Sequence, residues 1–549
     1  MAVPQRVALR RVAMVAACGL IGACTGCGSG SGGQTTGATA SAPALSSPAG
    51  TSPAGTPPLS AGSPLPYGDP TFVYQMATCE ASGKGTDYQV GPGAGQLASL
   101  DAVPWERLKA GDTVRIFWQS QPYKGKFLLT ANGTADAPVR VCGVKGAGGE
   151  RPVIDGSGAT TRRGLVYGGA SAAPIHEARG IVMIKNTDEF THYPTYIQID
   201  GLSLKGVHPD YRFTDSNGTS SQYMEFGGCI WVERGHNITI ADNEISDCTH
   251  AIFSRSFDYG DFAVTNNLRI AGNTMTASGV SGSDKVHTTY IQSRNVIYEF
   301  NRYGPMRSGA EGNSLKDRSI GPVIRYNRIE DGARAMDLVE AEDWTSVAKA
   351  DPAYRSTFVY GNQIIKDGDK GSTIHYGGDH AGSEADYRKG TLYFFNNTVR
   401  LTGNGYGVLF QLSTTEERAE VWNNVFLFDA TIPFASMRAG QDNAPGYTAG
   451  GIVNLGRNWI NSRWADSDPD HPIPGQLLGA SNMITGTTAP VDPITMVPLA
   501  GSAVIDAAAS GPAAAAAYPV RYQIDIPGAR VVSRTVIGAS GDLGAVEAN

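Results

Sequence analysis

Ile252-Phe253-Ser254-Arg255, Ile291-Gln292-Ser293-Arg294 and Leu315-Lys316-Asp317-Arg318 repeat one pattern three times within the stretch from Ile252 to Asp343, each copy opening on an apolar residue and closing on arginine. Two further units in the same stretch, Val296-Ile297-Tyr298-Glu299-Phe300-Asn301 and Val323-Ile324-Arg325-Tyr326-Asn327, share an alternating run that ends on asparagine. Two alternating strand motifs per repeat, each closed by a turn residue, predict a chain wound into stacked coils. Equivalent residues of successive coils then lie ~4.8 Å apart, the spacing of neighbouring strands. Arg255, Arg294 and Arg318 are expected to form a column on that basis. Like charges packed so closely repel unless something anionic lies across them.

The asparagine-ended unit extends outward in both directions. It recurs in Ile238-Thr239-Ile240-Ala241-Asp242-Asn243, Leu268-Arg269-Ile270-Ala271-Gly272-Asn273, Phe358-Val359-Tyr360-Gly361-Asn362, Leu392-Tyr393-Phe394-Phe395-Asn396-Asn397 and Val421-Trp422-Asn423-Asn424. The intervals from Asn243 to Asn273, Asn301, Asn327, Asn362, Asn397 and Asn424 run from about 26 to 35 residues, a repeat period with variable loops. A short amide tolerates left-handed backbone and can bond both its own turn and the asparagine of the next coil, so stacked amides satisfy one another. This series resembles the right-handed parallel β-helix of pectate-lyase-like proteins, over residues 100 to 549. The resemblance implies an all-β solenoid of about ten coils, with Leu499–Asp506 and Asp542–Glu547 similar to closing segments of that superfamily. Few Asn-Gly or Asp-Gly hairpin signals join the strands, which disfavours a propeller or sandwich.

Composition agrees with an ordered body of short strands and tight turns: 41% apolar, 17% charged and 69 glycines, with little helical periodicity. A formal net charge of −7 argues against a general nucleic-acid binder. Arg6, Arg10 and Arg11 precede a short apolar run ending in Leu20-Ile21-Gly22-Ala23-Cys24, which resembles the bacterial lipobox. The expected organisation is a lipoprotein signal peptide at 1–23, a lipid-anchored Cys24, an uncharged flexible Gly/Ser/Thr/Pro-rich linker at 24–66 and a β-helix domain at 67–549. Such a protein is expected to be exported, membrane-anchored or extracellular, and a monomer. Four cysteines remain in the body, and Cys79 with Cys142 and Cys229 with Cys248 are the candidate disulfides, buried free thiols being the alternative.

Stacking the second strand of each coil on its inward apolar residue puts Ile230, Ile252, Ile291, Leu315, Leu338, Ile374 and Leu409 in the core. The next residue points out. That outward column reads Trp231, Phe253, Gln292, Lys316, Val339, His375 and Phe410, with Tyr290, Ser314, Asp337 and Thr373 in a second column beside it. Aromatics, the arginines, Arg325, Asp337, His375 and His380 on one face suggest a carbohydrate groove, because sugar rings stack on aromatic faces and guanidinium forks bind carboxylate or sulfate.

Here the resemblance narrows to the chondroitinase B and alginate lyase type of polysaccharide lyase, in which a groove lysine abstracts the C5 proton of a uronic acid and an arginine assists. It implies Lys316 as base, Arg318 as its assistant and Tyr290 or His287 as proton donor to the leaving oxygen. In the family, however, the lysine and arginine come from different coils, whereas Lys316 and Arg318 share one segment. Arg318, Arg294 and Arg325 would favour the neutral amine of Lys316. Lyases of this fold often use Ca²⁺, for which Glu340, Glu342 and Asp343 are oxygen ligands of the right type, although their spacing matches no calcium loop. An acidic polysaccharide is the expected partner. The alternatives are an adhesive, non-catalytic polysaccharide-binding lipoprotein, and an inverting glycoside hydrolase using Asp337 and Asp379, which would need carboxyls roughly 6.5 to 9.5 Å apart.

Overall fold

A chain that alternates strand and turn at this period buries its backbone polar groups only by pairing each coil with the next. The protein is described by a computed structural model covering residues 78–168, 173–187, 193–440, 450–468, 473–526 and 530–548. The expected signal peptide, Cys24, the linker and residues 67–77 lie outside the described residues. Among the described residues the strands form three long sheets of 13, 14 and 11 strands and one separate hairpin. One coil shows the logic: His236–Ala241 joins the 13-stranded sheet, Glu244–Cys248 the 11-stranded sheet and His250–Ser254 the 14-stranded sheet. Asn266–Ala271 then lies parallel to His236–Ala241 and the next coil begins. The fold is a right-handed parallel β-helix, the hand that parallel crossovers take almost without exception.

At the turn from the 13-stranded to the 11-stranded sheet the asparagines form one hydrogen-bonded ladder. Asn243 Nδ2 donates to Asn273 Oδ1 at 3.1 Å, and the same bond links Asn273 to Asn301, Asn301 to Asn327, Asn327 to Asn362, Asn362 to Asn397 and Asn397 to Asn424. It continues to Asn458, which the sequence reading stopped short of. Each amide is satisfied on both sides: Asn301 Oδ1 accepts from the backbone N–H and Nδ2 of Asn273, and Asn301 Nδ2 also donates to Ile270 O. The left-handed backbone falls one residue earlier than expected, on Asp242, Gly272, Phe300, Tyr326, Gly361, Asn396 and Asn423. The amide must point inward to stack, so its neighbour takes the turn. Positive φ in Phe300 and Tyr326 is unusual for bulky residues. Both rings pack under the C-terminal segment, which holds them there.

The interior is a continuous apolar core, and the register of the 14-stranded sheet corrects the one expected. Ile252 pairs with Thr289, Thr289 with Leu315 and Leu315 with Met336. Ile291 and Leu338 therefore flank Asp317 in a second inward row. At Ile291 and Leu338 the slip is two residues, which the inside–outside alternation cannot detect because both inward positions are mostly apolar, and at Leu409 it is one residue, Phe410 pairing with Ile374 in its place. Gln292, Val339 and Phe410 leave the outward column, and Tyr290, Asp337 and Gln411 take their places.

Disulfides join Cys79 to Cys142 and Cys229 to Cys248, with Cα separations of 5.6 and 5.7 Å. Coil strands end at Met483–Gly486, and residues after them lie along the outside of the coils rather than adding to them. Arg521 N donates to Tyr326 Oη, Gln363 Nε2 to Ile524 O and Ala545 N to Thr398 Oγ1.

Removing one rung of the ladder tests its contribution. Asn301→Ala leaves the backbone N–H of Asn273 without its acceptor and takes one bond each from Asn273 Nδ2, the carbonyl of Ile270 and Asn327 Oδ1, so unfolding free energy should fall by about 2–4 kcal/mol. Urea denaturation of wild type and variant measures this, and a change below about 1 kcal/mol would contradict the ladder's role.

Candidate functional site

Register brings chemistry together on the outer face of the 14-stranded sheet. One column runs Leu128, Met183, Trp231, Phe253, Tyr290, Lys316, Asp337, His375 and Gln411. Its first half is apolar and closed over. Trp231 and Phe253 stack at 3.8 Å and are 1% and 3% exposed, with Phe226 lying across them edge-on. They are not open sugar platforms, because the segment that carries Phe226 covers both rings.

The second half is an ion-pair network. Lys316 Nζ donates to Asp337 Oδ2 at 2.6 Å and to Asp379 Oδ2 at 2.5 Å. Arg318 donates through Nε to Tyr290 Oη at 2.8 Å, through Nη2 to Asp379 Oδ1 at 2.8 Å and through Nη1 to Glu340 O at 2.8 Å, with Glu340 Oε2 at 3.1 Å. Tyr290 donates in turn to Glu342 Oε2 at 3.2 Å. His380, half-exposed, reaches Glu340 at 2.7 Å, Glu342 at 3.1 Å and Asp379 at 3.3 Å. Beneath them Asp337 accepts from His375 Nδ1 at 2.7 Å and Asn313 Nδ2 at 2.9 Å, and His375 Nε2 meets Ser413 Oγ at 3.0 Å.

Asp379 and His380 arrive on an excursion that leaves the coil after Ile374–Tyr376 and returns at Thr391. Its geometry is fixed by close approach. A Cβ on Gly378 would fall 2.0 Å from the Tyr387 ring, and Gly378 N donates to Ser413 Oγ at 2.9 Å. Glu340 receives the backbone N–H of Asp379 at 3.0 Å and of His380 at 3.1 Å. At the far end the buried guanidinium of Arg388 donates to Val339 O, Ser319 O and Asp317 Oδ1.

These contacts set protonation. Burial raises the Asp379 carboxyl but is outweighed by Lys316, His380 and Arg318, which hold it far below the usual range. Asp337 is likewise ionised, its burial outweighed chiefly by Lys316 and His375. Hydrogen bonds to Asp379, Glu340 and Glu342 push His380 up to about 11. The bond from His380, with Arg318 nearby, holds Glu342 at about 2. Burial raises the Tyr290 phenol strongly, so it is a proton donor.

Several expectations change. Arg294 begins the strand Arg294–Glu299 of the 13-stranded sheet and pairs with Asp351, so it is not in the column. Arg325 binds Glu299 and Tyr360 on that same sheet. Gln292, buried, stands between Arg255 and Arg318 and donates to Asp343 Oδ2 at 3.0 Å. His287 is buried beside Tyr290, accepts the Asn313 N–H at 2.9 Å and is kept neutral by burial and by Lys316. The cations are balanced by the protein's own carboxylates, so no external polyanion is needed to offset their repulsion. Arg255 keeps a half-exposed guanidinium stacked 3.9 Å over Phe257, with Glu233 and Asp343 both 3.9 Å away. Asp337 and Asp379 both lie within 2.6 Å of one nitrogen, so the oxygens concerned are at most about 5.2 Å apart, closer than inversion requires. Sequence reasoning missed the tethers Glu233, Asn313, Ser413 and Arg388, since their partners are distant in the chain.

Glu340, Asp379 and His380 bring three potential metal donors within 4.8 Å of one another, a different set from Glu340, Glu342 and Asp343. The donor chemistry does not fit a divalent cation as arranged. Both Glu340 oxygens are engaged, and Arg318 and Lys316 already supply the positive charge beside Asp379.

Among solved structures the chain is similar to an alginate lyase from Paenibacillus sp. at 12% identity, covering 66% of this chain and 94% of that one with a TM-score of 0.37. It is similar to pectate lyase Pel9A at 10% identity, covering 86% and 100% with a TM-score of 0.41. A third is a tailspike protein mutant of E. coli bacteriophage HK620 in complex with a pentasaccharide, at 12% identity, 74% and 61% coverage and a TM-score of 0.40. No family model and no curated protein sequence matches the chain.

The pH dependence follows from two groups. His380 rises from 6.5 to about 11 on folding, so its contribution is complete below 6.5 and lost as pH rises through about 11. Glu342 falls from 4.5 to about 2, so its contribution is complete above 4.5 and lost as pH drops through about 2. The stability difference between wild type and His380→Gln should therefore shrink steadily above pH 6.5, and NMR titration should find His380 still protonated at pH 8. A His380 resonance titrating near 6.5 would contradict the network.

Proposed function

We propose that this chain is an exported β-helix protein, tethered through a lipid on Cys24, that binds an acidic polysaccharide along the outer face of the 14-stranded sheet and cleaves it by β-elimination. One observation carries the reading: Lys316, Arg318 and His380 converge on a single carboxylate, that of Asp379. Elimination from a uronic acid needs that arrangement, because the proton removed lies α to a carboxylate whose charge must be neutralised in the transition state. Arg318 and His380 hold the substrate carboxylate. Once Asp379 has been exchanged for substrate, the Lys316 ammonium releases a proton to solvent, and the neutral amine so formed takes the C5 proton. Tyr290, protonated and on the adjacent coil with its ring centre 5.9 Å from Lys316 Nζ, gives its proton to the leaving oxygen.

Inverting hydrolysis by Asp337 and Asp379 has less support, since the two are close together and both ionised, leaving no general acid. A binding-only protein would use the same face without turnover.

The test is a screen of residues 66–549 against acidic polysaccharides, read by near-ultraviolet absorbance of an unsaturated product. Lys316→Ala should lower turnover by about 10²–10⁴-fold with little change in binding. Full activity in Lys316→Ala would remove that residue from the mechanism. Reducing ends without absorbance would indicate hydrolysis, and binding without either product would indicate an adhesin.

A further inference from the structure

The carboxylates around Lys316 and Arg318 are not equivalent. Asp337 is fixed on the strand Met336–Leu338 and is buried, and Glu340 has both oxygens engaged with the backbone of the excursion and with Arg318. Asp379 differs in being presented by the excursion from outside the coil, with its side chain 23% exposed. The backbone that carries it is anchored independently of the carboxylate. Glu340 holds the N–H groups of Asp379 and His380, Ser413 holds Gly378, Tyr387 packs against Gly378, and Arg388 closes the far end. Rotation about the side-chain bonds of Asp379 alone can withdraw its carboxylate into solvent while these anchors stay in place.

What it would leave behind is a site shaped for a planar two-oxygen anion. Lys316 Nζ addresses one oxygen at 2.5 Å, and Arg318 Nη2 and His380 Nδ1 address the other at 2.8 and 3.3 Å. Replacing one carboxylate by another leaves the charge of the network unchanged, whereas withdrawing it without replacement leaves Lys316 and Arg318 short of an anion in a largely buried setting, which is costly. Resting on the lyase reading above, we propose that Arg318 and His380, beside Lys316, form a carboxylate-binding site and that Asp379 is its built-in surrogate ligand, displaced when the carboxylate of an acidic sugar enters. The exchange makes the site selective for ligands that bring their own carboxylate. A neutral sugar has nothing to put in the place of Asp379, and it leaves Lys316 paired to both carboxylates. The entering acid breaks the Lys316–Asp379 bond, so that Lys316 keeps only Asp337 as a partner and can release a proton to solvent when substrate is present.

Asp379→Gly removes the surrogate and should make the site accept a small carboxylate. Acetate should raise the melting temperature of Asp379→Gly saturably, with chloride at equal ionic strength as the reference, while wild type shows no such shift. Adding His380→Gln to Asp379→Gly should weaken the response, because it removes one of the two groups that hold the carboxylate. The near-isosteric Asp379→Asn, which keeps the fold if Asp379→Gly does not, should bind a galacturonate oligosaccharide about tenfold more tightly or better, because an internal competitor has been removed. Absence of a saturable acetate effect in Asp379→Gly would overturn the proposal. So would weaker or unchanged oligouronate binding by Asp379→Asn when Asp379→Gly cannot be made. Rescue by acetate in a protein that turns over no uronate polymer would keep the carboxylate site and remove the lyase reading, so the two fail separately.

Discussion

Parallel stacking at ~4.8 Å puts every side chain against its counterpart in the next coil, and charge must be arranged to suit. The chain meets this constraint by alternating sign along or beside its columns. Lys316 stands next to Asp337, which stands next to His375. On the 13-stranded sheet the fully buried Glu299 lies between Arg269 and Arg325, and Arg140 pairs with Asp200. Where the interior admits a charge, as at Asp317, it is met by Tyr298, Ser319 and the guanidinium of Arg388. The asparagine ladder answers the same geometric demand with neutral groups, since an amide can donate to the next coil and accept from the previous one.

Compensation of this kind has a functional side. A column in which each cation already has an anion is stable at rest, and a ligand can enter only by exchange. The site differs in this from a basic groove that attracts any polyanion. The excursion from Gly377 to Gly390 supplies the exchangeable member, while the coil supplies the permanent ones. Strands fix Lys316 and Tyr290, Arg318 follows directly on the strand Leu315–Asp317, and the segment outside the coil carries Asp379 and the half-exposed His380. The aromatic part of the same column is structural, since Trp231 and Phe253 are sealed beneath Phe226.

The sequence by itself determined the coil. Asparagine at the end of each alternating run, at a period set by one turn plus its loops, left the parallel β-helix as the architecture that satisfies those amides. It also grouped Tyr290, Lys316, Arg318, Asp337, Glu340, His375, Asp379 and His380 on neighbouring repeats. Tertiary structure decided the rest, for identifiable reasons. Alternation has period two, so a slip of two residues at Ile291 and Leu338 is invisible to it, and only the paired register joins Tyr290 to Lys316 and Lys316 to Asp337. The last residue of each Phe-Ser-Arg, Gln-Ser-Arg or Lys-Asp-Arg segment can continue its strand's ladder or start the next sheet, and local sequence does not say which. Arg318 follows Leu315–Asp317 and keeps its backbone N–H on Ile291 O, whereas Arg294 opens the strand Arg294–Glu299 of the 13-stranded sheet. Finally, the return of an excursion onto the coil depends on contacts such as Glu340 with the backbone of Asp379 and His380, and Arg388 with Asp317, made between residues far apart in the chain. Those contacts decide that the arginine and lysine are matched by the protein's own carboxylates, and residue order alone cannot encode that.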